Sequence, residues 1–92
     1  MIRSFADSDT ADFFTERKHK RFANITTVAL RKLDQLEVSE LLTDLKVPPG
    51  NRLEALKGDR AGQHSVRIND QYRMCFVWTD EGPAQVEITD YH

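Results

Sequence analysis

The side chains that could do chemistry in this 92-residue chain are an acid–base pair and a set of cations. Glu54 could accept a proton, and His92 could donate one. Lys57, Arg67 and Arg73 could stabilise negative charge as it develops. Cleavage of RNA needs this combination, because the attacking ribose 2′-OH requires a base, the departing 5′-oxygen requires an acid, and the phosphorane requires cations.

Alternation of side chains predicts that several polar residues share one face of a β-sheet. Successive residues of a strand point to opposite faces, and in the predicted strand 72–79 Arg73 alternates with Met74 and Phe76. The same parity in the neighbouring strands defines what we call the polar sheet face: Ser65, Arg67, Arg73, Thr89 and Tyr91, with Lys57 close by. Tyr91 could stack on a base or position the phosphate.

Periodicity and turn residues predict the elements that position these side chains. Apolar spacings of three and four predict a helix over about 9–17, capped by Ser8 or Asp9, and a second over about 23–37. Alternation between turn residues predicts strands over 1–5, 52–57, 63–69, 72–79 and 84–91. Short connections imply antiparallel pairing. We therefore expect one α+β domain spanning 1–92, with two N-terminal helices on one face of a small, mainly antiparallel sheet.

Composition excludes several classes of protein. With 13 basic and 15 acidic residues the net charge is -2, so any contact with nucleic acid must come from a local patch. The lone Cys75 cannot form an internal disulfide, and three scattered histidines do not predict a metal site or another cofactor. No apolar stretch suits a membrane span, and the first residues are too polar for a signal peptide. We expect a cytoplasmic protein.

Some of these features also have structural interpretations. Arg67 and Arg73 could simply pair with Glu87 and Asp90 on a solvated surface. The basic run, defined as Arg17, Lys18, His19, Lys20 and Arg21, is typical of a solvated turn between helices, although it could contact ribosomal RNA. His64 has the parity of the apolar face, which favours a packed side chain over a catalytic one.

Four segments, in order along the chain, resemble the HigB-type toxins, the killer-protein branch of the RelE/ParE superfamily. They are LEALKGDR at 53–60, SVRIN at 65–69, YRMCF at 72–76 and DYH at 90–92. The opening MIRSF also fits, and PPGNRLE at 48–54 is similar to the GraT subgroup. The resemblance covers essentially the whole chain and implies a RelE-like microbial RNase fold.

The resemblance implies a metal-independent, ribosome-dependent endoribonuclease that cuts A-site codons of mRNA by 2′-OH attack. Family positions tied to phosphate binding or catalysis are matched by Lys57, Arg67, Arg73, Asp90, Tyr91 and His92. We therefore expect catalysis from Glu54, Arg73, Asp90, Tyr91 and His92, and RNA binding by Lys57, Arg60, Arg67 and Asn69. Asp90 would orient His92 or an arginine. Several HigB toxins carry histidine where this chain has Glu54, but related nucleases use glutamate there. An ordinary glutamate, with a pKa near 4.3, is a weak base unless burial raises it.

The resemblance also implies partners. These are a HigA-type helix-turn-helix antitoxin that inhibits the toxin, the 70S ribosome with its mRNA, and operator DNA through the antitoxin alone, with no membrane. One alternative is a non-enzymatic inhibitor of DNA gyrase, like ParE, on the same scaffold. Another is a degenerate toxin kept as a repression partner. Codon preference and the antitoxin contact surface cannot be predicted from the sequence.

Overall fold

A computed structural model describes residues 1–90, so the predictions for Tyr91 and His92 lie outside the described residues. The first helix, α1, spans Ser8–Glu16. Its cap is Asp7, whose carboxylate accepts from the Thr10 backbone N–H at 3.3 Å, so the predicted caps Ser8 and Asp9 are wrong by one or two residues. The residue after the helix, Arg17, caps its C-terminus with a φ of 65°.

The second helix begins later than predicted. A 3₁₀ segment, Lys20–Ile25, precedes α2, which spans Thr26–Val38. Phe22 and Ile25 leave α-helical geometry, and both side chains are buried in the core. The α-helix therefore begins after this kink, at Thr26. Beyond α2, two short 3₁₀ turns cover Leu42–Lys46 and Pro49–Asn51.

The sheet is the predicted antiparallel meander. Its strands β1 to β4 have the order β1-β2-β3-β4. They span Glu54–Ala55, His64–Arg67, Tyr72–Thr79 and Gly82–Asp90. The strand predicted over 52–57 shrinks to two residues, because Arg52 adopts a φ of 47° and a 3₁₀ turn follows Lys57.

The strand predicted over 1–5 is also wrong. This segment runs beside β4 but forms only one parallel bridge, between Phe5 and Val86. Gln85, with a φ of 53°, makes a bulge in β4, and Ser4 accepts from the backbone N–H groups of Gln85 and Val86. At Gly82, where φ is 127°, a Cβ atom would lie 2.5 Å from the Met1 carbonyl oxygen, so the close approach requires glycine.

Both helices pack on one face of the sheet, as predicted. The core contains Phe13 and Phe22 from the helical half and Met74, Phe76 and Ile88 from the sheet. The opposite face contains a second buried group, in which Leu56 and Cys75 lie apart from the main core. None of the helices in residues 1–90 has the length and apolar character needed to cross a bilayer.

Candidate active site

Strand register brings the polar sheet face together in two rows. One row crosses all four strands through Glu54, Ser65, Cys75 and Glu87. The next row crosses the last three strands through Arg67, Arg73 and Thr89. Residues paired across antiparallel strands point to the same face, so parity correctly predicted the polar sheet face as far as Thr89.

Arg73 lies in the second row with its guanidinium fixed by oxygen atoms from two other segments. Its Nε donates to the Ser65 hydroxyl at 2.8 Å, and a terminal nitrogen donates to the Arg52 carbonyl at 3.0 Å. The same nitrogen lies 3.3 Å from the Glu54 carboxylate. Only 13% of the Arg73 side chain is exposed. The guanidinium is thus oriented by the fold before any ligand binds, which is what electrostatic stabilisation of an anion requires.

The other charges of this face do not pair as the structural interpretation predicted. Glu87 forms an ion pair with Arg60, whose guanidinium nitrogen lies 3.2 Å from the Glu87 carboxylate. Arg67 pairs with Asp70 in the turn after β2. Asp90 accepts from the Gln71 side-chain amide at 3.0 Å. The expected pairing of Arg67 and Arg73 with Glu87 and Asp90 is therefore wrong, because the chain supplies nearer partners from its turns and from β1.

The middle of the polar sheet face is closed to solvent. Ser65 and Cys75 are fully buried, although their parity predicted an outward direction. Burial raises the pKa of the Cys75 thiol, while the nearby charges oppose one another, since Arg60 and Arg73 lower that pKa and Glu87 raises it. The raised pKa favours the protonated thiol over the thiolate, which is the reactive form of cysteine.

A buried hydrogen-bond network supports the segment that leads to Arg52 and Glu54. The Asn51 side chain is fully buried, and its amide nitrogen donates to Gln35 Oε1 at 3.0 Å and to the Leu45 carbonyl at 3.1 Å. Its Oδ1 accepts from the Lys32 ammonium, which is itself buried. Asn51 and Lys32 were not predicted from the sequence, because Lys32 and Gln35 lie 19 and 16 residues away from Asn51 along the chain.

Two further predicted residues occupy turns. Lys57 is exposed and precedes the 3₁₀ turn Gly58–Arg60. Asn69 lies in the β2–β3 turn, where its Oδ1 accepts from the backbone N–H groups of Gln71 and Tyr72 at 2.8 and 2.7 Å. Asn69 thus shapes the turn that sets the register of Arg67 and Arg73. Its binding role stays a prediction, as does that of Lys57.

The basic run has a structural role. Arg17 makes two hydrogen bonds to the Asp34 carboxylate at 3.0 and 2.6 Å, which connects the end of α1 to α2. Arg21 lies 3.1 Å from both Asp7 and Asp9 at the start of α1. His64, as expected, is half-buried and stacks on Phe76. Among residues 1–90, no group of three or more histidine, cysteine or acidic side chains is arranged to hold a metal ion.

Comparison by sequence agrees with the resemblance found in the chain. The profile of one family, described as the RelE-like toxin of type II toxin–antitoxin system HigB, matches residues 3–92. Toxin HigB-1 of Vibrio cholerae serotype O1 is 38% identical over 82 residues, which make up 87% of this chain and 86% of that protein.

Comparison by structure agrees with the predicted RelE-like fold. A chain of the YoeB–YefM complex from Staphylococcus aureus gives a TM-score of 0.60 at 20% identity, covering 100% of this chain and 98% of that chain. A YoeB/ParE toxin from Agrobacterium tumefaciens gives 0.52 at 20% identity, covering 99% and 98%. At such low identity the similarity concerns the fold alone. Membership of the GraT subgroup stays a prediction.

Proposed function

Because this chain belongs to the HigB-like toxin family of type II toxin–antitoxin systems, we propose that it is a ribosome-dependent endoribonuclease that cuts mRNA within the A-site codon. The observation that carries the proposal is the position of Arg73, held by Ser65 and the Arg52 carbonyl beside the Glu54 carboxylate. A fixed cation next to an accessible carboxylate suits the attack of a ribose 2′-OH on the adjacent phosphate.

Glu54 is the general base of the proposed reaction. Its side chain is 53% exposed, so a ribose hydroxyl can reach the carboxylate, and it lies 3.3 Å from the guanidinium that would face the phosphate. Glu54 takes the proton of the 2′-OH as the 2′-oxygen forms a bond to phosphorus. Arg73 stabilises the charge that grows on the phosphorane oxygens, assisted by Lys57, Arg60, Arg67 and Asn69 as contacts to the RNA.

His92 is the general acid. It gives its proton to the 5′-oxygen as the bond between phosphorus and that oxygen breaks, which leaves a 2′,3′-cyclic phosphate and a 5′-hydroxyl. Asp90 orients His92 or an arginine, and Tyr91 packs against the substrate. Base, acid and cations are all side chains of the protein, so the proposed reaction is independent of metal ions and of any other cofactor.

The ribosome supplies the geometry that this small protein cannot supply alone. A net charge of -2 gives little general attraction for free RNA. An mRNA displayed in the A site is already held in place, and positioning of reactants is worth several orders of magnitude in rate. We therefore expect cleavage of translated mRNA to be much faster than cleavage of naked RNA.

The proposal includes a cytoplasmic location and an antitoxin partner. Membership of a toxin–antitoxin family and the fold shared with a YoeB–YefM complex support such a partner. We propose that it is a HigA-type helix-turn-helix protein that inhibits the toxin and carries it to operator DNA.

Mapping of mRNA 5′ ends on translating ribosomes tests the proposed activity. Purified wild-type toxin should create new ends inside A-site codons, and the His92→Ala and Glu54→Ala variants should create few or none. Equal unfolding midpoints for the three proteins would exclude misfolding as the cause. Intact mRNA with growth still arrested would contradict the nuclease and favour a ParE-like inhibitor of gyrase.

A further inference from the structure

A groove at the far end of the β3–β4 hairpin differs in character from the polar sheet face. It has a volume of about 420 Å³ and lies between the first residue, the end of α2 and the hairpin turn. We call it the acidic groove, and the residues that define it are Met1, Glu40, Leu41, Trp78, Asp80 and Glu81.

The acidic groove exposes apolar side chains on a fixed backbone. Leu41 is 63% exposed and Met1 is 68% exposed. The Leu41 backbone N–H donates to the Asp44 carboxylate at 3.0 Å, which holds the backbone at this position. Trp78 is half-buried and packs against the core. Exposed apolar side chains beside an aromatic ring are typical of an interface with another protein.

The charge around these side chains limits what can bind. Glu40, Asp80 and Glu81 place three exposed carboxylates on the groove. Arg3, whose guanidinium lies 4.0 Å from the Met1 sulfur, offsets only part of that charge. Ribosomal RNA and mRNA would be repelled by this surface, whereas a peptide with basic side chains would be attracted.

The acidic groove and Arg73 lie at opposite ends of the same hairpin. Thr79 pairs with Gly82 at the turn, and Arg73 pairs with Thr89 near the other end. Thr79 lies six positions beyond Arg73, which at about 3.3 Å per residue is a distance of roughly 20 Å. A partner in the groove therefore need not touch Arg73.

We propose that the acidic groove binds a segment of the cognate antitoxin that presents an apolar side chain between lysine or arginine residues. The inference rests on the proposed function, since it names the surface by which that toxin is held. A second copy of this chain fits less well. A two-fold contact through the groove would bring the carboxylates of both copies together.

Titration calorimetry with the proposed HigA-type helix-turn-helix antitoxin tests the groove. Leu41→Ala and Glu81→Lys should each weaken binding by about tenfold or more. Two control variants should leave binding within twofold. Val47→Ala truncates an apolar residue that is 66% exposed and lies outside the groove. Asp12→Lys makes the same charge change as Glu81→Lys, but on α1. Added salt should weaken wild-type binding more than that of Glu81→Lys.

Each result has a distinct meaning. Wild-type binding that neither groove variant weakens would overturn the groove and leave the toxin function intact. Failure of the wild-type toxin to bind this antitoxin would overturn the groove and the HigA-type partner, whereas the nuclease itself is judged by mRNA cleavage. Free Leu41→Ala and Glu81→Lys proteins should cut mRNA like wild type, so a loss of cleavage with normal antitoxin binding would assign the groove to the ribosome instead. A toxin dimer that Leu41→Ala dissociates, with antitoxin binding unchanged, would assign it to a second copy.

Discussion

The basic run and the polar sheet face are both rich in arginine, yet their arginines contact different parts of the fold. Arg17 and Arg21 are 46% and 42% exposed and bind carboxylates at the surface of the helical half. Arg73 is 13% exposed and contacts Ser65 of β2 and the segment that enters β1. Arg17 and Arg21 thus connect helical segments at the protein surface, whereas Arg73 is held within the sheet.

This difference shows why the density of positive charge along a sequence does not locate an active site. The basic run places five basic or titratable residues in succession, whereas the cations of the sheet are dispersed along the sequence. An exposed ion pair contributes little and is easily rearranged. A guanidinium fixed by a hydroxyl and a backbone carbonyl keeps one orientation, and preorganisation of that kind is what a charged transition state needs.

The largest expected effect is the loss of cleavage in Arg73→Ala. Removing a preorganised electrostatic group lowers the rate by about 10²–10³-fold in comparable sites. Arg17→Ala removes an arginine from the basic run and should keep nearly the wild-type rate. The measurement is the initial rate of A-site cleavage on translating ribosomes, with unfolding midpoints as the check on folding. Equal losses in the two variants would mean that the basic run contacts the ribosome and that the contrast is wrong.

The second effect concerns the buried support beneath Arg52 and Glu54. In Asn51→Ala the buried Lys32 ammonium loses its acceptor, and the Leu45 and Val47 carbonyls lose a donor. We expect the free energy of unfolding to fall by about 2–4 kcal/mol, measured by urea denaturation. Asn24→Ala, at an exposed position of the 3₁₀ segment Lys20–Ile25, is the matched control and should change it by less than about 0.5 kcal/mol. Similar values for the two variants would show that the Asn51 network is replaced by water at little cost.

The polar sheet face could be predicted from the sequence because the alternation of side chains in a strand is a local rule. Alternation in β3 and β2 placed Arg73, Arg67 and Ser65 on one side, and the register agrees. Alternation does not predict which side chains cover a sheet face, so the full burial of Ser65 and Cys75 was not predicted. That cover depends on side chains such as Arg60, which pairs with Glu87 across 27 residues of chain.

Contacts between residues far apart in the sequence also explain why the partners of Asn51 and Arg17 were not predicted. The hydrogen bonds that join Asn51 to Gln35 and Lys32 span 16 and 19 residues, so no local pattern around 48–51 predicts them. Likewise, the acidic partner of Arg17 lies 17 residues away, on α2. Periodicity finds elements, whereas polar partners are chosen by the packing of those elements against one another.

A smaller effect should follow from breaking the basic run at Arg21. This guanidinium pairs with two carboxylates and lies 4.9 Å from the centre of the Phe22 ring. Because the side chain is 42% exposed, we expect Arg21→Ala to cost about 0.5–1 kcal/mol of stability, with much of the loss removed by added salt. Thermal unfolding in low and high salt measures this. A cleavage defect in a stable Arg21→Ala protein would instead assign the basic run to RNA.

The smallest effect is a rise of stability with pH that comes from the buried Lys32. Burial lowers the pKa of Lys32, and the charges of Arg31 and Arg67 lower it further. Between that lowered pKa and the ordinary value of 10.5, the unfolded chain binds more protons than the folded one, so the contribution of Lys32 to stability rises with pH. The contribution is lost as the pH falls through the lowered pKa.

The difference in unfolding free energy between wild type and Lys32→Met should therefore grow in favour of wild type from neutral pH towards 10.5. Taking the difference cancels the opposite trend from Cys75, whose raised pKa destabilises both folded proteins once unfolded thiols ionise. Lys46→Met, at an exposed position, should give a difference that does not change with pH. If Lys32→Met also gives a constant difference, the ammonium beside Asn51 is as well solvated as the surface lysines, and the contrast between buried and surface support must be given up.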